Sequence, residues 1–217
     1  MNRDLQEYYA LRAEEYEKIY AHPAKQGDIA WLRALLQRLL AGRHVLEATC
    51  GTGYWTPTVA EVAASVLATD LNESVLEIAR GKSYPRGNVR FQVADAFRLE
   101  GVTGAFDAGF AGFWWSHVSK TRLRDFLRVF HGRLQPGALA VFADNNYVEG
   151  ITHPRSDHVD DDGNTYSRRT LESGRQYEVL KNFPTEAEVR EVLSDLADDI
   201  YYFNSTFYWC VSYKTVS

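Results

Sequence analysis

The sequence predicts an α/β protein on a doubly wound, mostly parallel seven-stranded sheet that closes with an antiparallel C-terminal hairpin. Three observations predict it. From Arg43 onward, short apolar runs alternate with helical patterns, the rhythm of repeated β-α-β units. The first run leads into a tight turn, Cys50-Gly51-Thr52-Gly53, and then into a segment that reads as a helix. The last two runs are joined only by Asn204-Ser205-Thr206, too short for a parallel crossover.

The elements follow in order. Leu5, Tyr8, Tyr9, Tyr16, Ile19 and Tyr20 share one face of an N-terminal helix that also carries Arg12 and ends at His22-Pro23. Ile29, Leu32, Leu35, Leu36, Leu39 and Leu40 mark a second helix. Val45-Leu46 opens the first strand, Val66 to Thr69 forms the second and ends on Asp70, and Val89 to Val93 forms the third. Ala105 to Ala111 and Ala138 to Ala143 make the fourth and fifth, separated by a helical stripe of Leu123, Phe126, Leu127, Phe130 and Leu134. A long insertion, Asn145 to Phe183, comes next. Its first half is polar and turn-rich, and its second half reads as a hairpin of 165–171 and 176–181. Thr185 with Glu188 is a capping box for a last helix, before strands at Ile200 to Phe203 and Phe207 to Tyr213. One domain is expected: cap helices 1–42, ligand-binding core 43–144, lid-like insertion 145–183, and helix with hairpin 184–217.

Composition narrows the classes. With 217 residues and 45% hydrophobic content the chain can bury a full core. Its net charge of −5 lacks the basic footprint of a duplex-binding protein, so no nucleic-acid partner is expected. Cys50 and Cys210 suggest no disulfide framework. Neither a signal peptide nor a membrane span is expected, which points to a cytoplasmic protein, monomer or homodimer. His153, Asp157, His158 and Asp160 to Asp162 lack calcium-loop spacing, since Thr165 stands where Gly is required and Leu171 where Glu is, so no metal is expected.

Three carboxylates fall at the carboxyl ends of the first three strands, the edge where ligands bind in such sheets. Glu47 precedes the Gly turn, where it suits a ligand ammonium better than a pyrophosphate. Asp70 lies about twenty residues on, within reach of ribose hydroxyls. Asp95-Ala96-Phe97 offers an acceptor for an adenine amino group and a ring to pack on it.

In this ordered set the chain resembles the class I S-adenosylmethionine-dependent methyltransferases of small-molecule type, over roughly Val45 to Ala143 and again at the terminal hairpin. Leu46 to Gly53 resembles the family's first motif, Asp70 its ribose acid, Asp95 to Phe97 its adenine segment, and Leu134-Gln135-Pro136-Gly137 the turn before its fifth strand. Thr49 departs from the Gly that the family often has there. The resemblance implies a Rossmann-like fold and S-adenosylmethionine as cofactor, with S-adenosylhomocysteine as product. Contacts to it are expected from Tyr16, Glu47, Gly51, Gly53, Asp70, Leu71, Asp95, Ala96 and Phe97. An NAD(P) oxidoreductase fits less well, because Thr56 replaces the third Gly of the dinucleotide pattern and Glu47 would crowd a pyrophosphate.

The acceptor side is read from position and chemistry. Ala111-Gly112-Phe113-Trp114 is not the Asn/Asp-Pro-Pro-aromatic motif of nucleobase amino methyltransferases, and no Pro-Cys nucleophile appears. A small acceptor, planar or aromatic and methylated on O or N, is therefore expected. RNA or protein methylation and a non-catalytic cofactor-binding role are the alternatives. His117 is the candidate general base. Trp114, Trp115, Tyr8, Tyr9 and Arg12 are expected to line the acceptor pocket, with Asn145 and Asn146 orienting the acceptor. Tyr166, Arg168 and Arg169 come from the insertion. In a strand Arg168 and Arg169 face opposite ways, so one of them can meet an acceptor carboxylate or phosphate.

Overall fold

The computed structural model describes residues 16–170 and 174–216, with the side chain of Tyr16 excluded. Five α-helices, ten strands and short 3-10 turns make up the described chain. In order they are α1 (Gln26–Leu40), β1 (His44–Ala48), α2 (Thr56–Ala60), β2 (Ser65–Asp70), α3 (Glu73–Arg80), β3 (Val89–Val93) and β4 (Phe106–Gly112). Then come α4 (Lys120–His131), β5 (Leu134–Asn145), β6 (Arg155–Val159), β7 (Thr165–Thr170), β8 (Gln176–Leu180), α5 (Glu186–Leu193), β9 (Ala197–Asn204) and β10 (Tyr208–Thr215).

Seven strands form one sheet in the order β3-β2-β1-β4-β5-β10-β9, and β6-β7-β8 form a second, antiparallel sheet. The pairs from β3 to β5 are all parallel, whereas β10 runs antiparallel to both β5 and β9. This is the expected doubly wound sheet with its C-terminal hairpin. Successive strand residues serve opposite faces, as the pleat requires. Val45, Val66, Phe110, Val141 and Cys210 pack with α1 and α2. Their neighbours Leu46, Leu67, Ala111, Phe142 and Val211 pack with α4 and α5. α1 buries Ile29, Leu32, Leu35, Leu36 and Leu40, the stripe that the sequence shows. No helix among the described residues is long and apolar enough to cross a membrane.

Three details differ from expectation. The segment 155–159 is strand rather than loop. Its Arg-Ser-Asp-His-Val sequence buries only Ser156, because as an edge strand it is held by backbone pairing to β7. Of the segment expected as an N-terminal helix, only 16–22 lie among the described residues, and Tyr16–Tyr20 there is 3-10. Trp114 and Trp115 are core residues and do not line the pocket expected of them. Trp114 packs edge-on against Phe97 and Phe126, and Trp115 against Phe142 and Trp209.

The capping box forms. Glu188 N donates to Thr185 Oγ1 at 3.3 Å, and Thr185 N donates to Glu188 Oε2 at 2.8 Å. Thr185→Ala is expected to cost about 1 kcal/mol, lowering Tm by about 2–4 °C. A Tm equal to wild type in differential scanning calorimetry would show that the cap is dispensable.

Candidate functional site

The parallel register brings the carboxyl ends of β1, β2 and β3 to one edge: Ala48 lies beside Thr69, and Asp70 beside Val93. The Gly turn crosses that edge in left-handed backbone, at φ +54° for Thr49, +56° for Gly51 and +73° for Gly53. Thr49 thus adopts the conformation that glycine takes more easily, with its Oγ1 donating to Ala48 O at 2.6 Å. Gly53 is needed for packing as well. A Cβ there would sit 2.9 Å from Ala79 Cβ on α3, whereas one on Gly51 would meet nothing within 4 Å. The helix after the turn, α2, is a single short turn and a half.

Asp70 braces this loop. Its Oδ2 accepts from Gly51 N and its Oδ1 from Asn72 N, both at 3.0 Å. Burial pushes its carboxyl above the usual range despite those backbone donors. Asp95 Oδ1 accepts from Phe97 N at 2.9 Å. Arg122 stacks over the Phe97 ring at 4.0 Å, and Leu71 and Phe97 remain half-buried. Glu47 is 2% exposed at the base of the loop, and its Oε2 finds no hydrogen-bond partner among the described residues. Burial raises its carboxyl to about 8, with Thr56 and Lys82 pulling the other way. A buried carboxylate oxygen without a donor fits a ligand ammonium. The three strand-end acids, the loop and Phe97 accordingly fit an amino acid–nucleoside ligand such as S-adenosylmethionine.

The 3-10 turn at Tyr16–Tyr20 borders this cleft. Glu17 accepts from Thr52 Oγ1 at 2.7 Å and also pairs with Lys82. Ile19, on the same turn, lines a second cavity of about 270 Å³, beyond the ends of β4 and β5. Phe113, His117, Asn145, Asn146, Arg169 and Lys181 also line it.

A buried polar cluster stands behind one lining residue of this cavity, Lys181. Lys181 Nζ donates to Asp144 Oδ1 at 2.9 Å and to Ser116 Oγ at 2.5 Å. Ser116 N donates to Asp144 Oδ2 at 2.9 Å. Lys181 and Asp144 are 2% and 0% exposed. Burial works to raise the Asp144 carboxyl, but the Lys181 ammonium and His117 hold it below the usual range. His117 Nδ1 lies 2.7 Å from Leu180 O and must donate to it, so the imidazole is the Nδ1-H tautomer with its lone pair on Nε2. Burial, helped by Lys181, drives its pKa down to about 3, and it is neutral at physiological pH.

The structure sorts the remaining candidates. Arg169 is buried against the cavity and Arg168 is exposed, as strand alternation demands, so Arg168 is no part of the pocket. Tyr166 also turns away. Its hydroxyl donates to Asp160 Oδ2 at 2.9 Å and its ring stacks on His158 at 4.4 Å. Asn145 Nδ2 bonds Asp144 Oδ1 at 3.2 Å, and Asn146 Nδ2 is held by Asn204 Oδ1 and Ser205 O, each at 2.8 Å. Both line the cavity, but the Asn146 amide is committed to the β9–β10 turn. Tyr8, Tyr9 and Arg12 lie outside the described residues. Phe113 takes the place expected of the tryptophans: at φ +61° the backbone turns its ring to the cavity and the next two side chains inward. Nothing in the sequence signals a left-handed Phe. Lys25, on the 3-10 turn before α1, also lines the cavity and carried no sequence signal. No group of three or more His, Cys, Asp or Glu able to hold a metal occurs among the described residues.

Residues 45–137 match the family described as Methyltransferase domain. The chain is 29% identical over 153 residues to demethylmenaquinone methyltransferase of Lactococcus lactis, covering 66% of this chain and 59% of that protein. It is 34% identical over 109 residues to O-methyltransferase cnsE of Penicillium expansum, covering 48% and 38%. The chain therefore spans about two to three fifths of the length of these relatives. Two solved structures match almost end to end. The DhpI–SAM–HEP complex does so with TM-score 0.75, 28% identity and coverage of 97% of this chain and 95% of that one. The DhpI–SAH complex gives 0.73 with 28% identity, covering 97% and 94%.

Glu47 generates a prediction. Its carboxyl binds a proton more tightly folded, at about 8, than at its ordinary 4.5. Stability from this group is present below pH 4.5 and lost as pH rises toward 8. In ligand-free protein, Glu47→Gln is expected to raise Tm at pH 8 by about 4–8 °C, the scale of about 2 kcal/mol, and far less at pH 5. An equal difference at both pH values would contradict the assignment.

Proposed function

We propose that this chain, a class I S-adenosylmethionine-dependent methyltransferase, transfers a methyl group to an oxygen or nitrogen of a small molecule seated in the cavity beside His117. The observation that carries the reading is the pairing of two sites across the turn 16–20. On one side lies the acid-lined loop with the unsatisfied Glu47 oxygen. On the other lies a partly open cavity with a neutral imidazole in its wall.

S-adenosylmethionine, when bound, supplies a methyl group already activated on a sulfonium. The protein must hold the nucleophile in line and keep water away. In this reading Glu47 accepts from the ligand ammonium, Asp70 and Leu71 face the ribose, and Asp95, Ala96 and Phe97 enclose the adenine. Tyr16 falls on the turn between the two halves. In the cavity, Phe113 and Phe207 offer apolar walls to the acceptor body, which suits a planar molecule. His117 takes the proton from a hydroxyl or ammonium nucleophile at Nε2, while its Nδ1-H stays fixed on Leu180 O. The relatives named for demethylmenaquinone and as an O-methyltransferase support a small acceptor and leave the methylated atom open.

The test is transfer of labelled methyl from S-adenosylmethionine across a panel of small hydroxyl and amine compounds. Once an acceptor is found, His117→Asn is expected to lower kcat by about 10²–10³ and to leave S-adenosylhomocysteine affinity unchanged. Unchanged turnover in His117→Asn removes His117 as base. Cofactor binding with no transfer to any compound in the panel would speak for a binding domain instead.

A further inference from the structure

The structure assigns an anionic group to the acceptor: a carboxylate or phosphoryl oxyanion held in the cavity by Lys25, Arg169 and Lys181. This inference rests on the methyltransferase reading of the site and adds the chemical class of the acceptor.

The described lining of the cavity is more basic than the chain as a whole. The whole chain carries 24 Lys and Arg against 29 Asp and Glu. The described residues lining the cavity nonetheless include no Asp or Glu. They include Lys25, Arg169 and Lys181, together with the exposed Lys18 and His22 and the half-buried His153. The first three come from distant parts of the chain, a 3-10 turn before α1, strand β7 and the end of β8. They converge closely enough to repel one another. Arg169 lowers the pKa of Lys25, and both lower that of Lys181, in each case behind the larger effect of burial.

Buried or half-buried like charges cost free energy unless something answers them. Asp144 answers Lys181 at 2.9 Å, and its second oxygen is taken by Ser116 N. The only oxygen that Lys25 Nζ reaches among the described contacts is the Ile19 carbonyl at 3.4 Å. Such a half-sheltered cluster of one guanidinium and two ammonium groups is suited to a small oxyanion, where charge-assisted hydrogen bonds are strong. His117 shares this wall, so the acceptor's anion would orient its nucleophile toward the imidazole. It would also offset the burial and the Lys181 charge that hold the imidazole low, restoring base strength as the acceptor binds.

The experiment is thermal unfolding of full-length protein, free and saturated with S-adenosylhomocysteine. It is titrated with inorganic phosphate or acetate against potassium chloride at equal ionic strength. We expect phosphate, acetate or both to raise Tm beyond chloride. A phosphate-only response identifies a phosphoryl acceptor and an acetate-only response a carboxylate. Lys25→Ala and Arg169→Met are expected to weaken that anion response about tenfold each. Arg168→Ala, on the opposite face of the same strand, should leave it unchanged. The proposal is overturned if neither anion exceeds chloride, or if the response survives intact in both Lys25→Ala and Arg169→Met. Because the free protein is titrated too, a failure to bind S-adenosylhomocysteine would count against the cofactor reading alone.

Discussion

The cavity beside His117 depends on one buried ion pair, Asp144 with Lys181. Asp144 stands near the end of β5, in the parallel sheet, and Lys181 directly follows β8, in the small antiparallel sheet. Their contact, with Ser116 between them, fastens the insertion to the ends of β4 and β5. Asn182 extends the seam. Its N donates to Ser116 O at 2.8 Å, its Nδ2 to Val118 O at 3.2 Å, and its Oδ1 accepts from Thr165 N at 2.9 Å. Two charges this deep are expensive to desolvate, and removing either one strands the other at a cost of about 3–5 kcal/mol. Replacing both by apolar side chains could stabilise the fold equally well. What the pair contributes beyond stability is a cation beside His117 and a fixed wall bringing Arg169 to the cavity.

The edge formed by the ends of β1 to β3 obeys a different constraint. Its loop turns in left-handed backbone at Thr49, Gly51 and Gly53, which is free for the glycines but strained at Thr49, where the surrounding loop needs bracing. Asp70 supplies that bracing by accepting from Gly51 N. The same carboxylate is therefore both strut and candidate ribose ligand, which explains how its position at the end of β2 serves fold and function together. Gly53 also serves the packing of α3. Glu17 then ties the turn 16–20 to Thr52 and Lys82, linking that loop to the cavity.

Much of this was legible in the sequence because it follows from periodicity and short-range chemistry. Alternating runs predict the seven-stranded sheet, a three-residue link forces the β9–β10 hairpin, and Thr185 with Glu188 caps α5 as the spacing implies. The opposite facing of Arg168 and Arg169 follows from the pleat alone. What escaped depends on tertiary context. β6 has no apolar alternation because only Ser156 is buried. Trp114 and Trp115 read as pocket residues, but a left-handed Phe113 reverses which side chains face inward. Lys25 joins the cavity only because the chain before α1 folds back toward β7, a pairing with no local signature. Asp144 as the partner of Lys181 is equally invisible without the fold.

Binding of S-adenosylmethionine at the acid-lined loop joins the two parts of the site. Thermal unfolding with S-adenosylmethionine, S-adenosylhomocysteine, NAD and NADP in parallel measures that binding. A ligand at about 100 times its Kd adds about 2.7 kcal/mol, or about 5–10 °C for a chain of this size. A rise of that order with the two sulfur ligands and none with the nicotinamides is the result the structure leads us to expect. A rise with a nicotinamide alone would contradict the roles given to Glu47 and Asp95 and return the loop to dinucleotide chemistry.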